Sequence, residues 1–213
     1  MFNMIFKRLF AAACLCLSCA TAMADPVTDF FRAVQMDDVD TVKAMMASSF
    51  DLNRQNPIGG DTAMILALRE GSERVFRALL GSPAIALEAT SPNGNTALMM
   101  AAYKRNQGAV LALLAKGAQV QRSGWTALHY AAASGDDAIV RILLEHHALI
   151  DSTAPYQMTA LMIAAREGQE STAQLLLELG ANPGLHNSEA MTAADIAERA
   201  DKPIIAAAIR ARQ

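Results

Sequence analysis

The hydrophobic positions of the chain follow one pattern that returns at intervals of 34, 30, 33 and 33 residues. A Thr-Ala pair opens each copy, at Thr62-Ala63, Thr96-Ala97, Thr126-Ala127, Thr159-Ala160 and Thr192-Ala193. Alanine stands five residues after every Thr (Ala67, Ala101, Ala131, Ala164, Ala197), and glycine nine after it in three copies (Gly71, Gly135, Gly168). A Leu pair follows 17 and 18 residues on in four of them: Leu79-Leu80, Leu113-Leu114, Leu143-Leu144 and Leu176-Leu177. The pattern predicts a short helix starting at each Thr, a break near the Gly, a second helix ending in the Leu pair, and a loop rich in Gly, Pro or Asn. All prolines but Pro203 precede or lie between the predicted helices, and Pro203 suits the first turn of one.

No such unit can bury its apolar face alone. Stacked side by side, the units merge their Ala and Leu rows into one core, and the small Ala lets neighbouring helices approach closely. Thr28, Ala33, Val42 and Met45-Met46 fit the same offsets 34 residues before Thr62, as a degenerate first copy. The last copy, Thr192 to Gln213, is also atypical, as terminal units that cap a stack must be. The expected architecture is all-α: a solenoid of six helix-turn-helix units, approximately 25–57, 58–91, 92–121, 122–154, 155–187 and 188–213, with atypical caps at both ends.

This pattern resembles the ankyrin repeat family, with its unit of about 33 residues and T-P-L-H-x-A signature. Trp125-Thr126-Ala127-Leu128-His129-Tyr130-Ala131-Ala132 with Leu143-Leu144 carries the resemblance best. It extends over residues 25–213. The family's Pro after Thr is Ala in all five copies, which relaxes the turn without abolishing it.

The N-terminal segment stands apart from the repeats. Lys7 and Arg8 precede an apolar run from Leu9 to Ala20, and Ala22-Met23-Ala24 forms a small-x-small site before Asp25. These are the marks of a secretory signal peptide over 1–24, cleaved after Ala24, and the run is too short for a spanning helix. Lipidation of Cys19 is the alternative, weakened by Cys16-Leu17-Ser18, which lacks the usual aliphatic residue three positions before a lipidated Cys. Cleavage takes the net charge from −3 to −5, because Lys7 and Arg8 leave, and removes Cys14, Cys16 and Cys19, all three of the chain's cysteines. The mature chain is then expected in the periplasm, off the membrane, monomeric and without disulfides.

Hydrophobic residues at 53% and charged residues at 18% suit a packed chain, and no basic run gives the footprint of a nucleic-acid binder. The repeats carry no phosphate-binding glycine loop, nucleophile elbow, H-E-x-x-H or calcium loop, so a non-enzymatic protein without cofactor or metal is expected. His129 takes the family's motif position, which implies a hydrogen bond to backbone of a neighbouring turn, and His146-His147 sits where a helix should end. Met64, Met99, Met100 and Met162 stand at core offsets. A metal- or haem-handling protein using Met and His is the rival of another class.

The resemblance implies a protein partner bound across the concave face and loop tips. The positions just before Thr and seven and eight after it point there in the family. In this chain they are Asp61, Arg69 and Glu70; Asn95, Tyr103 and Lys104; Trp125, Ala133 and Ser134; Met158, Arg166 and Glu167. Tyr156 adjoins them in a loop, whereas Tyr130 falls on a core offset. Asp61, Arg69, Asn95, Tyr103, Lys104, Trp125, Tyr156, Met158, Arg166 and Glu167 are the expected partner contacts, the aromatics foremost. The 30-residue spacing from Thr96 to Thr126 shortens the loop Gln119 to Trp125 by three residues, predicting a stunted finger and a notch beside Trp125. An immunity or inhibitor protein against an envelope toxin or hydrolase is a more specific form of the same reading.

Overall fold

The structure is a computed structural model that describes residues 25–213; the expected signal segment, its cleavage site and the alternative lipid site at Cys19 lie outside the described residues. Among those residues the chain forms α1 (Pro26–Gln35), α2 (Val39–Met46), α3 (Ala63–Glu70), α4 (Glu73–Leu80), α5 (Ala97–Tyr103), α6 (Gln107–Ala115), α7 (Ala127–Ser134), α8 (Asp137–Glu145), α9 (Ala160–Glu167), α10 (Glu170–Glu178), α11 (Ala193–Arg199) and α12 (Pro203–Arg210). They pack as six successive pairs, each joined by a turn of two or three residues. None of these helices is long and apolar enough to cross a membrane.

Each repeated residue has a physical task. Thr62, Thr96, Thr126, Thr159 and Thr192 are the N-caps of α3, α5, α7, α9 and α11. In four of them the hydroxyl accepts the N–H three residues on, as in Thr96 from Met99 at 3.3 Å, which satisfies one of the orphan donors of the first turn. Ala67, Ala101, Ala131, Ala164 and Ala197 are wholly buried where these helices stack. Leu79, Leu113, Leu143 and Leu176, the first of each Leu pair, are also wholly buried, while most of the second ones are half-exposed.

The position nine after Thr is left-handed in all six pairs: Asp37, Gly71, Arg105, Gly135, Gly168 and Asp201 have φ between 53° and 78°. Only three of the six use glycine, because a short turn demands the conformation and the side chain merely sets its cost. The first helices α1, α3, α5, α7, α9 and α11 pack on one another more closely than the second helices do.

One expectation changes at the N-terminal end. Thr28 does not start α1; Asp25 caps it, accepting from the Val27 N–H at 3.3 Å, and Pro26 occupies the first turn. Thr28 instead donates its hydroxyl to Asp25 Oδ2 at 3.2 Å, because the helix begins nearly one turn earlier than in the later units.

Candidate functional site

The connectors between units form fingers beside the first-helix row. Four of them close in one way, with an N–H donated to the carbonyl just before the repeat Thr: Asn56 to Asp61 at 2.8 Å, Ser91 to Asn95 at 3.0 Å, Ala154 to Met158 at 2.8 Å and Asn187 to Met191 at 2.9 Å. The connector over 116–126 is three residues shorter than that over 146–159, and the carbonyl of Trp125 receives no such bond among the described residues.

A cavity of about 250 Å³ opens at this place. It is lined by Tyr103 of α5, Trp125 before α7, His129, Tyr130 and Ala133 of α7, and Ile163, Arg166 and Glu167 of α9, so it crosses three successive first helices. The Trp125 and Tyr130 rings lie 5.7 Å apart at 49°, and Tyr103 meets Tyr130 edge to face at 6.1 Å. Tyr130 donates its hydroxyl to Asn95 Oδ1 at 2.6 Å, which holds its ring in place; burial pushes the phenol's pKa up, and the Asn95 bond partly opposes this. Arg166 and Glu167 form the rim, joined by an Nε–H···Oε1 bond of 2.9 Å.

His129 supports the site from below. It is wholly buried and lies 5.8 Å from Trp125, ring edge to face. Its Nδ1 accepts the Thr126 N–H at 3.1 Å and its Nε2 meets the Ser152 carbonyl at 3.0 Å, a network that assigns the proton to Nε2. Burial pushes its pKa down, against the opposing pull of backbone bonds to Ser152 and Met158. The structure thus makes the bond to a neighbouring turn that the motif implied.

The same helix position is Met99 in α5 and Met162 in α9, and their sulfurs accept the Thr96 and Thr159 N–H groups at 3.4 and 3.5 Å. In α11 it is Asp195, which accepts from Thr192 N–H at 2.9 Å and Oγ1 at 2.8 Å and has its pKa lowered by those bonds. A soft thioether is tolerated where burial is complete, and a carboxylate only at the more open end unit. Met64, Met99 and Met162 are buried packing residues, which removes them from a surface metal site.

The ten expected partner contacts divide. Tyr103, Trp125, Arg166 and Glu167 are brought together around the cavity. Asp61 and Met158 are corrections: both are buried, 5% and 8% exposed, because each stands in a finger that closes with a β-bridge, Gln55 to Thr62 and Ala154 to Met158. Asp61 is ion-paired with Arg69, which also bonds Glu70. Asn95 is half-buried, its side chain given to Tyr130. Lys104 is exposed but outside the cavity, and Tyr156 is 77% exposed at the tip of a 3-10 turn, Pro155–Gln157. Tyr130, assigned to the core by its offset, packs half-buried against the core and also lines the cavity. The signal that would have found it is its hydroxyl, which at an otherwise apolar offset needs a hydrogen-bond partner and finds it in Asn95.

The family model for ankyrin repeats, described as three copies, matches residues 30–123 and 118–187. The chain belongs to the ankyrin repeat family. Among curated relatives, this ankyrin repeat protein is 36% identical over 137 residues to the nuclear factor NF-kappa-B p105 subunit of Mus musculus, covering 61% of this chain and 14% of that protein. It is 31% identical over 169 residues to the p105 subunit of Gallus gallus, covering 76% and 17%. The chain therefore spans a small fraction of these relatives. A solved chain from the complex of a predatory endopeptidase from Bdellovibrio bacteriovorus with an immunity protein superposes with a TM-score of 0.74 at 27% identity, covering 86% of this chain and 97% of that one.

Proposed function

We propose that the protein is an exported, non-enzymatic binding module of the bacterial periplasm that holds one protein partner on its first-helix face, centred on Trp125. The observation that carries this reading is the open finger: where four connectors close, the fifth leaves two tyrosines and the chain's single tryptophan around one cavity. Trp and Tyr are the residue types most enriched in interface hot spots. The cavity wall offers rings, apolar side chains and an ion pair, and its imidazole has both nitrogens engaged. The export reading rests on Lys7, Arg8, the apolar run Leu9 to Ala20 and Ala22-Met23-Ala24.

Retention of proteins from periplasmic extract on the immobilised chain, beside a Trp125→Ala/Tyr103→Ala chain, tests the proposal. A protein held by the first and lost from the second supports it. Equal retention by both contradicts it.

A second, narrower reading is favoured by the solved neighbour, whose complex joins an immunity protein to an endopeptidase. In that reading the partner is an envelope hydrolase and the bound protein silences it. Addition of the purified chain to the captured partner should then abolish hydrolysis of cell-wall substrate; undiminished hydrolysis at saturating chain removes this reading and leaves the broader one.

A further inference from the structure

The size and walls of the Trp125 cavity narrow what can enter it. Pockets for metabolites and cofactors run to roughly 300–1,000 Å³, and this one, at about 250 Å³, is below that range and matches one long side chain. Trp125, Tyr130 and Tyr103 surround it at mutual angles of 49° and 86°, so the rings enclose a space rather than stacking on each other. Ring faces carry negative potential, and a cation within about 6 Å of a ring centroid is attracted to them, Trp most strongly.

The rim adds charge of the matching sign. Glu167 lines the cavity, and Arg166 directs both its Nε and its Nη2 to the same oxygen, Oε1, at 2.9 Å. Glu167 Oε2 has no hydrogen-bond partner among the described residues. Arg166 is half-exposed and bonded only to its chain neighbour, so it can swing away at little cost. The rim is thus a carboxylate lightly held by an internal guanidinium, beside an aromatic enclosure.

We propose that the cavity receives a basic side chain of the protein partner, arginine foremost, with the incoming guanidinium against Trp125 and Tyr130 and in place of Arg166 on Glu167. A planar guanidinium suits this site better than an ammonium, because it stacks on a ring and offers paired N–H donors to a carboxylate at once. The proposal rests on the reading of this face as the partner site and names the chemistry of the residue that enters it. Arg166 then acts as an internal competitor, so its removal should tighten binding rather than weaken it.

The single tryptophan reports occupancy directly. Nα-acetyl-arginine amide, titrated into the full processed chain, should change Trp125 emission saturably in the millimolar range, whereas Nα-acetyl-citrulline amide, the neutral isostere, should bind about tenfold more weakly. Glu167→Gln should weaken the arginine amide about tenfold, and Arg166→Gln should strengthen it, with unchanged circular dichroism in both. Equal binding of the citrulline or Nα-acetyl-phenylalanine amide would overturn the proposal in favour of an apolar occupant. No saturable change with the arginine amide, or a loss of binding in Arg166→Gln, would also overturn it. These results leave the broader reading standing, since that one falls only if the Trp125→Ala/Tyr103→Ala chain retains the partner.

Discussion

Helices α7 and α9 are neighbours built on one plan, and what differs between them locates the function. Thr126-Ala127-Leu128-His129-Tyr130 and Thr159-Ala160-Leu161-Met162-Ile163 begin in the same way. Both helices end on a left-handed glycine, Gly135 or Gly168, and each is paired with a second helix whose Leu143 or Leu176 is wholly buried. The residues just before Thr diverge: Met158 is sealed under a closed finger, while Trp125 stands half-exposed over a cavity. The core is therefore common property of the repeats, and the open connector before Trp125 sets the face of this unit apart from that of α9.

The largest expected effect tests the shared part. Leu143→Ala and Leu176→Ala should each cost about 2–5 kcal/mol in urea unfolding, since both remove a fully buried side chain between stacked units. A loss confined to one of them would break the equivalence of the two units. The next effect tests the divergent part. Trp125→Ala with Tyr103→Ala should cost about 2 kcal/mol or more of partner affinity by calorimetry, with helicity intact, as truncation of central aromatic anchors does. Met158→Ala, at the same offset as Trp125, should lower stability and leave affinity unchanged.

A smaller effect separates His129 from Met162. The folded chain holds His129 neutral with its pKa below the ordinary 6.5, so its contribution is complete above that pH and is lost as pH falls through it toward the lowered value. His129→Met copies the α9 solution; it should remove this acid sensitivity and forfeit about 1 kcal/mol with the bond to Ser152. Thermal melts on either side of pH 6.5 check both statements. The smallest effect concerns the turns: Arg105→Gly should raise stability by up to about 1 kcal/mol, because Arg105 holds the left-handed conformation that Gly135 and Gly168 hold without strain. The corresponding Gly135→Arg should lower it.

How far the chain reveals this arrangement depends on which forces act locally. The Thr caps, the Ala row and the buried Leu follow from spacing, because each is set by a helix and its nearest neighbour. The left-handed turn is visible where glycine marks it and hidden at Asp37, Arg105 and Asp201, where the backbone requirement is the same but the letter is not. At the face, offset alone misplaces Asp61 and Met158, since both are buried in fingers that close with a β-bridge while Asn95 and Met191 at the same offset stay half-buried, and that bridge is a property of the whole connector. Tyr130 departs in the opposite direction: Ile163 at the same offset is wholly buried, whereas the tyrosine, like Met100 at that offset in α5, is half-buried against the core and reaches the first-helix face. Residue type sets Trp125 apart from Met158 at the same offset, and the three-residue deficit before Thr126 is a second, independent mark of the same place.

Lengthening that connector tests the account most directly. Three residues inserted between Gln121 and Gly124 would give 116–126 the length of 146–159 and allow the finger to close over Trp125. Such an insertion costs little stability, because loop entropy changes slowly with length. The account predicts that Trp125 emission becomes shielded from acrylamide and that partner affinity falls about as far as in the Trp125→Ala/Tyr103→Ala chain, with an unchanged urea midpoint. Partner affinity that persists with Trp125 shielded would contradict it.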